Sequence, residues 1–262
     1  MRSIERYGSL LLGLLLSFYL TAPAYAFTPS DSPLLSAAAV PPNVMLLIDD
    51  SGSMNSIIYA SGFNPADNPT PARQCNALLG LCLSSTAITG DTIFLSSLPT
   101  SGCSGGAYAF YNNSIAPLCL KLPDPVGSGN TRYSGDYISY VVSLAINNGT
   151  RDFTTGAIPN DYRINVARNV STALVTSNRT LRMGLSTFNP ATSNNSGNGG
   201  YIARSISDLA PVSGSVTQAQ ADTNYNALIS SINALSAVAN TPLAETYYEI
   251  TRYMRGMAPY YN

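Results

Sequence analysis

One continuous apolar run constrains the fold of this 262-residue chain more than any other feature. Residues 44–48 read Val-Met-Leu-Leu-Ile, between Pro42 and the polar sequence Asp49-Asp50-Ser51-Gly52-Ser53. Such runs are typical of strands that are buried on both faces of a helix-covered sheet. The run therefore predicts a strand buried on both faces, with the polar sequence at its carboxyl end.

The chain from residue 161 onward alternates helical and extended patterns. Apolar residues recur at helical spacing over 164–174, over 225–239 and after Thr241-Pro242, where a proline at the first helical position marks a helix start. Alternation over 181–187 predicts a strand, and 201–206 a second, shorter one. The apolar positions assigned to helix faces are Ile164, Ala167, Val170 and Leu174, then Tyr225, Leu228, Ile229, Ile232, Leu235 and Ala239, then Leu243, Tyr247, Ile250 and Met254. This order of elements predicts an α/β fold with a partly parallel sheet.

Residues from about 55 to 160 differ in composition and are rich in Gly, Pro, Ser, Thr, Asn and Tyr. Only weak strand candidates occur there, at 92–95 and 137–144. A structureless loop of this length is unusual in a compact domain. We therefore expect an insertion that is tied by disulfides and has some structure of its own.

The N-terminus indicates export. Arg2 and Arg6 precede an apolar run over 10–20, and Ala24-Tyr25-Ala26 follows as a small-x-small cleavage site. Residues 1–26 are therefore predicted to be a secretory signal peptide, and the proline-rich residues 27–42 a linker. The alternative is a membrane anchor, but the run is shorter than the roughly 20 residues that a spanning helix needs. No later stretch is long and apolar enough to span a membrane.

All four cysteines lie in the insertion. Because an exported chain meets an oxidising compartment, we expect Cys75, Cys82, Cys103 and Cys119 to form disulfides. Four cysteines allow three pairings. Sequential pairing, Cys75 with Cys82 and Cys103 with Cys119, closes the shortest loops and is the one we expect. Each bond should stabilise the fold by roughly 2–4 kcal/mol, mainly by restricting the unfolded insertion.

The charged and titratable residues exclude several functions. Charged residues make up 10% of the chain, the formal net charge is −1, and Lys121 is the one lysine. A chain with so little positive charge is poorly suited to binding nucleic-acid phosphates. The chain has no His, which excludes Ser-His and Cys-His catalysis and His-ligated metal sites. No cysteine pair has the Cys-x-x-Cys spacing of a zinc ribbon or a thioredoxin motif.

The polar sequence after the first strand is the candidate site. Asp49, Ser51 and Ser53 offer one carboxylate and two hydroxyls at the strand end where open α/β sheets bind ligands. Gly52 allows the tight turn that brings alternate side chains together. A cluster of oxygen ligands suits a hard cation, Mg²⁺ first and Mn²⁺ or Ca²⁺ as alternatives. The alternative is a strand-to-helix turn with a Ser or Asp N-cap.

Residues 44–54 resemble the first strand and metal loop of a von Willebrand factor A domain. Residues 163–169, 181–188 and 241–253 resemble later segments of that domain, in the same order. The resemblance implies a Rossmann-like α/β fold over 43–262, incomplete at its C-terminus and interrupted by the insertion. It also implies a metal-ion-dependent adhesion site formed by Asp49, Ser51 and Ser53 with Thr241. Thr241 can equally be a simple N-cap before Pro242.

A narrower resemblance is to the N-terminal domain of the type IV pilus tip-associated proteins of the PilY/PilC group, carried by 158–169, 240–245 and 255–261. It implies a non-enzymatic, metal-dependent adhesion and assembly module at the periplasm, outer membrane or cell surface. The expected partners offer an acidic residue to the metal and belong to minor pilins, the pilus machinery or a host surface. The Thr-Asp-Gly turn that normally completes the metal site does not occur before Asn262, so we expect a fragment or truncated product that binds metal weakly.

Two other functions are consistent with the same residues. One is a structural pilus-tip domain with a vestigial metal site. The other is an enzyme with Ser51 or Ser53 as nucleophile, which is disfavoured because neither serine lies in a Gly-x-Ser-x-Gly elbow and the chain has no His to act as a base.

Signal cleavage gives a direct test of the export prediction. Cleavage after Ala26 leaves Phe27 as the first residue of the exported protein. N-terminal sequencing of exported material should therefore begin Phe-Thr-Pro-Ser. An exported protein that still begins at Met1 would contradict the signal peptide.

Overall fold

The structure is a computed structural model, and it describes residues 41–67, 69–190 and 197–261. The predicted signal peptide, and the linker up to residue 40, lie outside the described residues. None of the described helices is long and apolar enough to cross a membrane.

The described residues form strands, four α-helices and two short 3-10 helices. The strands are β1 (Asn43–Leu47), β2 (Arg73–Leu78), β3 (Leu81–Ala87), β4 (Ile93–Phe94), β5 (Tyr108–Tyr111), β6 (Leu118–Leu120), β7 (Arg132–Tyr133), β8 (Arg182–Phe188) and β9 (Gly200–Asp208). The α-helices are α1 (Gly135–Asn148), α2 (Arg163–Ser177), α3 (Gln218–Asn233) and α4 (Leu243–Met254). The 3-10 helices are Gly52–Asn55 and Leu95–Ser97. The prediction of a mixed α/β protein is confirmed.

The first strand belongs to a three-stranded sheet of order β1-β8-β9. β1 pairs with β8 in parallel, and β8 pairs with β9 in antiparallel fashion. Val44 and Leu46 of β1 lie on the face that also carries Met183 and Leu185 of β8. These side chains pack with Ile164, Val175, Leu228 and Ile232 from helices α2 and α3 into one hydrophobic core. The apolar run forms a strand as predicted, but the expectation of burial on both faces is wrong. Among the described residues β1 is an edge strand of this sheet, and its side chains are only partly buried.

A second hydrophobic core lies between residues 57 and 158. It joins a four-stranded antiparallel sheet of order β3-β2-β5-β6, the β4–β7 pair and helix α1. Its largest fully buried side chains are Tyr133, Tyr137, Phe110, Phe153 and Ile57. Aromatic rings are thus the largest members of this core, while most of its other buried members are aliphatic.

The strand predicted at 137–144 is wrong, because this segment lies in helix α1. The Ser134 hydroxyl caps the helix by accepting the Tyr137 N–H, and Gly149 ends it with a φ of 75°. Ile138, Val141, Val142 and Ala145 are buried at helical spacing. The β-branched residues favour a strand locally, but the cap and the buried face determine a helix.

Both disulfides join the predicted cysteines. Cys75 pairs with Cys82 across the β2–β3 hairpin, with the Cα atoms 5.3 Å apart. Cys103 pairs with Cys119 of β6, with the Cα atoms 5.6 Å apart. The sequential pairing is confirmed.

Helix α2 forms as predicted, but it buries a different stripe. Val170 and Leu174 are 62% and 47% exposed, whereas Ile164 and Val175 are buried. Between these two on the buried stripe lies Arg168, whose Nη2 donates to the carbonyl of Leu235. A charged residue can occupy a buried stripe because its stem packs while its head donates hydrogen bonds.

Helix α4 shows the same effect. Leu243, Tyr247 and Met254 of its predicted face are exposed, Tyr247 by 68%, and Ile250 alone of that set is buried. The helix instead buries Thr246 and Glu249. The Glu249 carboxylate accepts the backbone N–H groups of residues 260 and 261, at 2.7 and 2.8 Å. The buried face of this helix thus includes hydrogen-bonded polar residues, whereas the hydrophobic pattern predicted an apolar face.

Gly200 makes the close packing of helix α4 on strand β9 possible. A Cβ at this position would lie 2.3 Å from Cγ2 of Thr246 and 2.4 Å from the carbonyl oxygen of Thr187. We expect Gly200→Ala to lower the free energy of unfolding by about 1–3 kcal/mol, because overpacking forces the backbone or the helix to move. Denaturant unfolding measures the loss.

Ser205→Ala is the matched control, since Ser205 is exposed on the same strand. It should change the free energy of unfolding by no more than about 0.5 kcal/mol. Equal stability of the two variants would contradict the close contact.

Candidate metal-binding site

The turn after β1 gathers the three oxygen-bearing side chains that the sequence selected. The Ser51 and Ser53 hydroxyl oxygens lie 2.9 Å apart. The Ser51 N–H donates to Oδ1 of Asp49 at 2.7 Å. Ser51 precedes the 3-10 helix Gly52–Asn55, yet its side chain makes no capping hydrogen bond. The Ser51 hydroxyl therefore faces Ser53 rather than the helix end.

A second chain segment runs beside this turn. The Gly52 N–H donates to the carbonyl of Ala239 at 2.9 Å, and the Val238 N–H donates to the carbonyl of Asp50 at 3.0 Å. These backbone hydrogen bonds join two segments that are far apart in the sequence. They bring the chain at Thr241, two residues further on, to the same end of the sheet.

Thr241 itself is exposed. In the described parts of the chain its hydroxyl makes no hydrogen bond to Ser51 or Ser53. The structure thus brings the two serine hydroxyls together, sets the Asp49 carboxylate on the Ser51 N–H, and leaves Thr241 on the neighbouring segment. The alternative that Thr241 is the N-cap of the following helix is wrong. Pro242 holds that position, and it makes no side-chain capping bond.

The two adjacent aspartates have different surroundings. Asp50 is buried, and its carboxylate accepts the Phe188 N–H at 3.1 Å. Burial raises the pKa of Asp50, and the nearby charge of Asp49 adds to the rise, against hydrogen bonds from Thr187 and Phe188. Asp50 therefore links the end of β1 to the end of β8, while Asp49 accepts a hydrogen bond from the Ser51 N–H within the turn. The alternation of side chains along an extended segment was the signal that could have separated them.

The oxygen atoms of Asp49, Ser51 and Ser53 suit a hard cation, but we expect them to bind it weakly. Carboxylate and hydroxyl oxygens are suitable ligands for Mg²⁺, which also keeps several waters. One oxygen of Asp49 already accepts a backbone N–H. Across the described residues there is no group of three or more His, Cys, Asp or Glu side chains that could hold a metal ion. A cation at this turn would thus depend on a single carboxylate and two neutral hydroxyls.

Arg132 of β7 reaches the turn from the insertion, and sequence reasoning missed it. A Cβ added to Gly52 would lie 2.8 Å from Nη2 of Arg132 and 3.3 Å from its Cζ. The guanidinium also lies over the Phe94 ring, 4.9 Å from the ring centre. The Arg132 carbonyl accepts the Ile57 N–H at 3.0 Å, which fixes the backbone beside the turn. No local pattern in the sequence links Arg132 to Gly52, because the contact is tertiary.

Asp124 holds the segment that leads into Arg132. Its carboxylate accepts the Gly129 N–H at 2.6 Å, the Thr131 hydroxyl at 2.5 Å, and the N–H groups of Thr131 and Gly127 at 3.2 Å. Burial by itself raises the pKa of Asp124, but these hydrogen bonds outweigh it and hold the pKa below its ordinary value. Asp124 therefore fixes the backbone immediately before Arg132.

Comparisons with known proteins add no family to this picture. Searches against protein-family models, curated proteins and solved structures found no match for the chain. The molecule is thus a mixed α/β protein with two disulfides, and its function has to follow from the turn and its neighbours.

The Asp124 hydrogen bonds predict a pH-dependent effect. Asp124→Asn loses the charge and part of the acceptor capacity, so we expect the free energy of unfolding at pH 7 to fall by about 2 kcal/mol. Because the folded-state pKa is lowered, the carboxylate stabilises the fold fully above the unfolded value near 4, and this stabilisation is lost as pH falls through the folded pKa. The difference between wild type and variant should shrink below about pH 4.

Thermal unfolding at neutral and acidic pH measures this difference. Asp91→Asn is the matched control, since Asp91 is exposed. A wild-type-to-variant difference that stays constant with pH would contradict the role of Asp124.

Proposed function

We propose that the chain is a non-enzymatic binding module of the von Willebrand factor A type. In this proposal a divalent cation, Mg²⁺ first, is held by Asp49, Ser51 and Ser53 and meets an acidic residue of a protein partner. The observation that carries the proposal is the convergence of these three side chains in one turn, with the Ser51 and Ser53 oxygens 2.9 Å apart.

The position of the turn supports a binding role. It follows β1, which pairs in parallel with β8. Open α/β sheets bind ligands beyond the carboxyl ends of their strands. The backbone bonds from Asp50 and Gly52 to Val238 and Ala239 build a rim from two chain segments. Thr241 on the second segment is the further ligand that the family resemblance assigns.

The chemistry of the turn supports a shared metal site. A bound Mg²⁺ supplies an open coordination position to a partner's carboxylate. The turn contributes one negative charge, from Asp49, and neutral hydroxyls from Ser51 and Ser53. Charge neutralisation of a divalent ion therefore needs a second carboxylate, which the partner provides. Cation and partner are expected to bind together more tightly than either binds alone.

A setting at the type IV pilus tip follows from the motif resemblance. In that setting the module supports pilus biogenesis and surface attachment, and minor pilins, the pilus machinery or a host surface are the partners. The two disulfides are compatible with this setting, since such bonds persist in exported proteins.

A structural domain with a vestigial metal site is the second candidate. One observation favours it: the Arg132 guanidinium lies against Gly52, and a positive charge beside the turn opposes cation binding. An enzymatic role has less support. The Ser51 and Ser53 hydroxyls contact each other, and the chain has no His to act as their base.

Asp49→Asn tests the metal proposal. The variant keeps an acceptor for the Ser51 N–H but removes the charge. Groups that only support a metal ligand are worth about 10–100-fold in affinity, so we expect at least that loss of Mn²⁺ binding. Titration followed by water-proton relaxation measures it, and thermal unfolding checks that the fold is kept.

Asp91→Asn is again the matched control, because it removes an exposed acidic charge elsewhere. Its Mn²⁺ affinity should equal that of the wild type. Equal binding by the Asp49 variant and the wild type would overturn the ligand assignment and leave the structural role.

A further inference from the structure

Arg132 is a cation whose side chain has no hydrogen-bond or ion-pair partner among the described residues. It is absent from the ion pairs of the described residues, which are Lys121–Asp152, Arg179–Asp222 and Arg182–Asp208. Its Nε is shielded from solvent and, in the part of the chain that the structure describes, has no hydrogen-bond partner. A guanidinium carries five N–H donors. The two Nη groups of Arg132 are not among the shielded atoms without a partner, so they remain open to a ligand.

Arg168 and Arg182 are the other described arginines whose Nε is shielded from solvent without a hydrogen bond. The Arg182 Nε nevertheless lies 3.2 Å from Oδ1 of Asp208, in an ion pair. Arg168, however, donates from Nη2 to Leu235, and Arg182 donates from Nη1 to Asn43. Of these three side chains, Arg132 is the one whose whole guanidinium lacks a hydrogen-bond acceptor within the described residues.

The guanidinium is held in place without being neutralised. The Phe94 ring contacts it, with the ring centre 4.9 Å from Cζ. The Asp124 hydrogen bonds fix the preceding backbone at Thr131. Gly52 permits the approach to the turn, since any side chain there would meet Nη2. A donor fork held this way loses little conformational entropy when it binds a ligand.

We propose that Arg132 binds the carboxylate of the acidic protein partner directly, at the edge of the Asp49–Ser53 turn. Guanidinium and carboxylate match in shape and form paired, charge-assisted hydrogen bonds. The Arg132 contact rests on the proposed function, because the acidic partner comes from that proposal. Unlike the cation site, however, this contact with the partner needs no metal. The Arg132 charge that weakens cation binding thereby strengthens binding of the anionic partner.

Acetate is the probe for this contact. With the full chain in EDTA, acetate should shift the amide resonance of Gly52 and the Nε–H resonance of Arg132 in a saturable way, against chloride at equal ionic strength. We expect Arg132→Gln to weaken acetate binding by about tenfold to a hundredfold, the range for a hydrogen bond to a charged group. Arg132→Lys keeps the positive charge but loses the paired N–H donors. Its acetate affinity should therefore lie between those of the wild type and Arg132→Gln.

Two further variants separate binding from folding. Arg255→Gln removes an exposed arginine elsewhere and should leave the acetate titration unchanged. Gly52→Ala keeps Arg132 but displaces its guanidinium, so it should also weaken acetate binding. Thermal unfolding confirms that each variant is folded before its titration is compared.

The outcomes distinguish this contact from the metal proposal. Unchanged acetate binding in both Arg132→Gln and Gly52→Ala would overturn the assignment to Arg132. Acetate binding that needs Mn²⁺ would overturn the contact and leave the metal proposal standing. If the protein binds acetate in EDTA but does not bind Mn²⁺, the Arg132 contact is supported and the metal proposal is overturned. A response to phosphate but not to acetate would overturn the choice of a carboxylate.

Discussion

The antiparallel pairing of Ile57 with Tyr162 is the interaction on which the arrangement of the whole chain depends. Beside it, the Ile58 N–H donates to the carbonyl of Asp161 at 2.9 Å. The inserted chain therefore leaves and returns at one place, and the β1-β8-β9 sheet can form around that place. We call the paired residues 57–58 and 161–162 the stem of the insertion. The Ile57 N–H also donates to the carbonyl of Arg132, so this stem brings an arginine of the insertion to the turn after β1.

Local sequence patterns predicted the elements whose burial follows their own hydrophobicity. The strand at β8 belongs to this group, and the disulfide pairing was predicted from proximity along the chain. The apolar run of β1 forms its strand but lies at a sheet edge and is only partly buried. The predictions failed where a tertiary contact decided the outcome. Helix α1 has β-branched residues that favour a strand, but its buried face in the second core makes it a helix. Helix α4 buries Glu249 and helix α2 partly buries Arg168, and a hydropathy pattern does not include their hydrogen bonds.

The candidate site divides in the same way. Asp49, Ser51 and Ser53 alternate over five residues, so their proximity could be predicted from spacing alone. Gly52 has no positive φ, and the structure needs a glycine there because Arg132 approaches it. The sequence selected Asp49 but assigned no role to Asp50, which is buried and bonds to β8. Arg132 could not be found at all, because it comes from a short strand whose place depends on Asp124. The residue that changes the electrostatics of the turn is thus the one that only the folded chain reveals.

The location of the disulfides has a mechanical consequence. Both lie inside the insertion, so the stem and the β1–β8 pair resist separation through hydrogen bonds and packing alone. If the ends of the chain are pulled, the residues enclosed by the cysteine pairs, with sequence separations of 7 and 16, cannot extend. At about 3.5 Å per residue, and allowing for the spans of the two bridges, this withholds roughly 70 Å of contour length from the stretched chain. Under tension the insertion would therefore extend only in part. The two loops closed by the disulfides would remain closed after the rest of the fold had been extended.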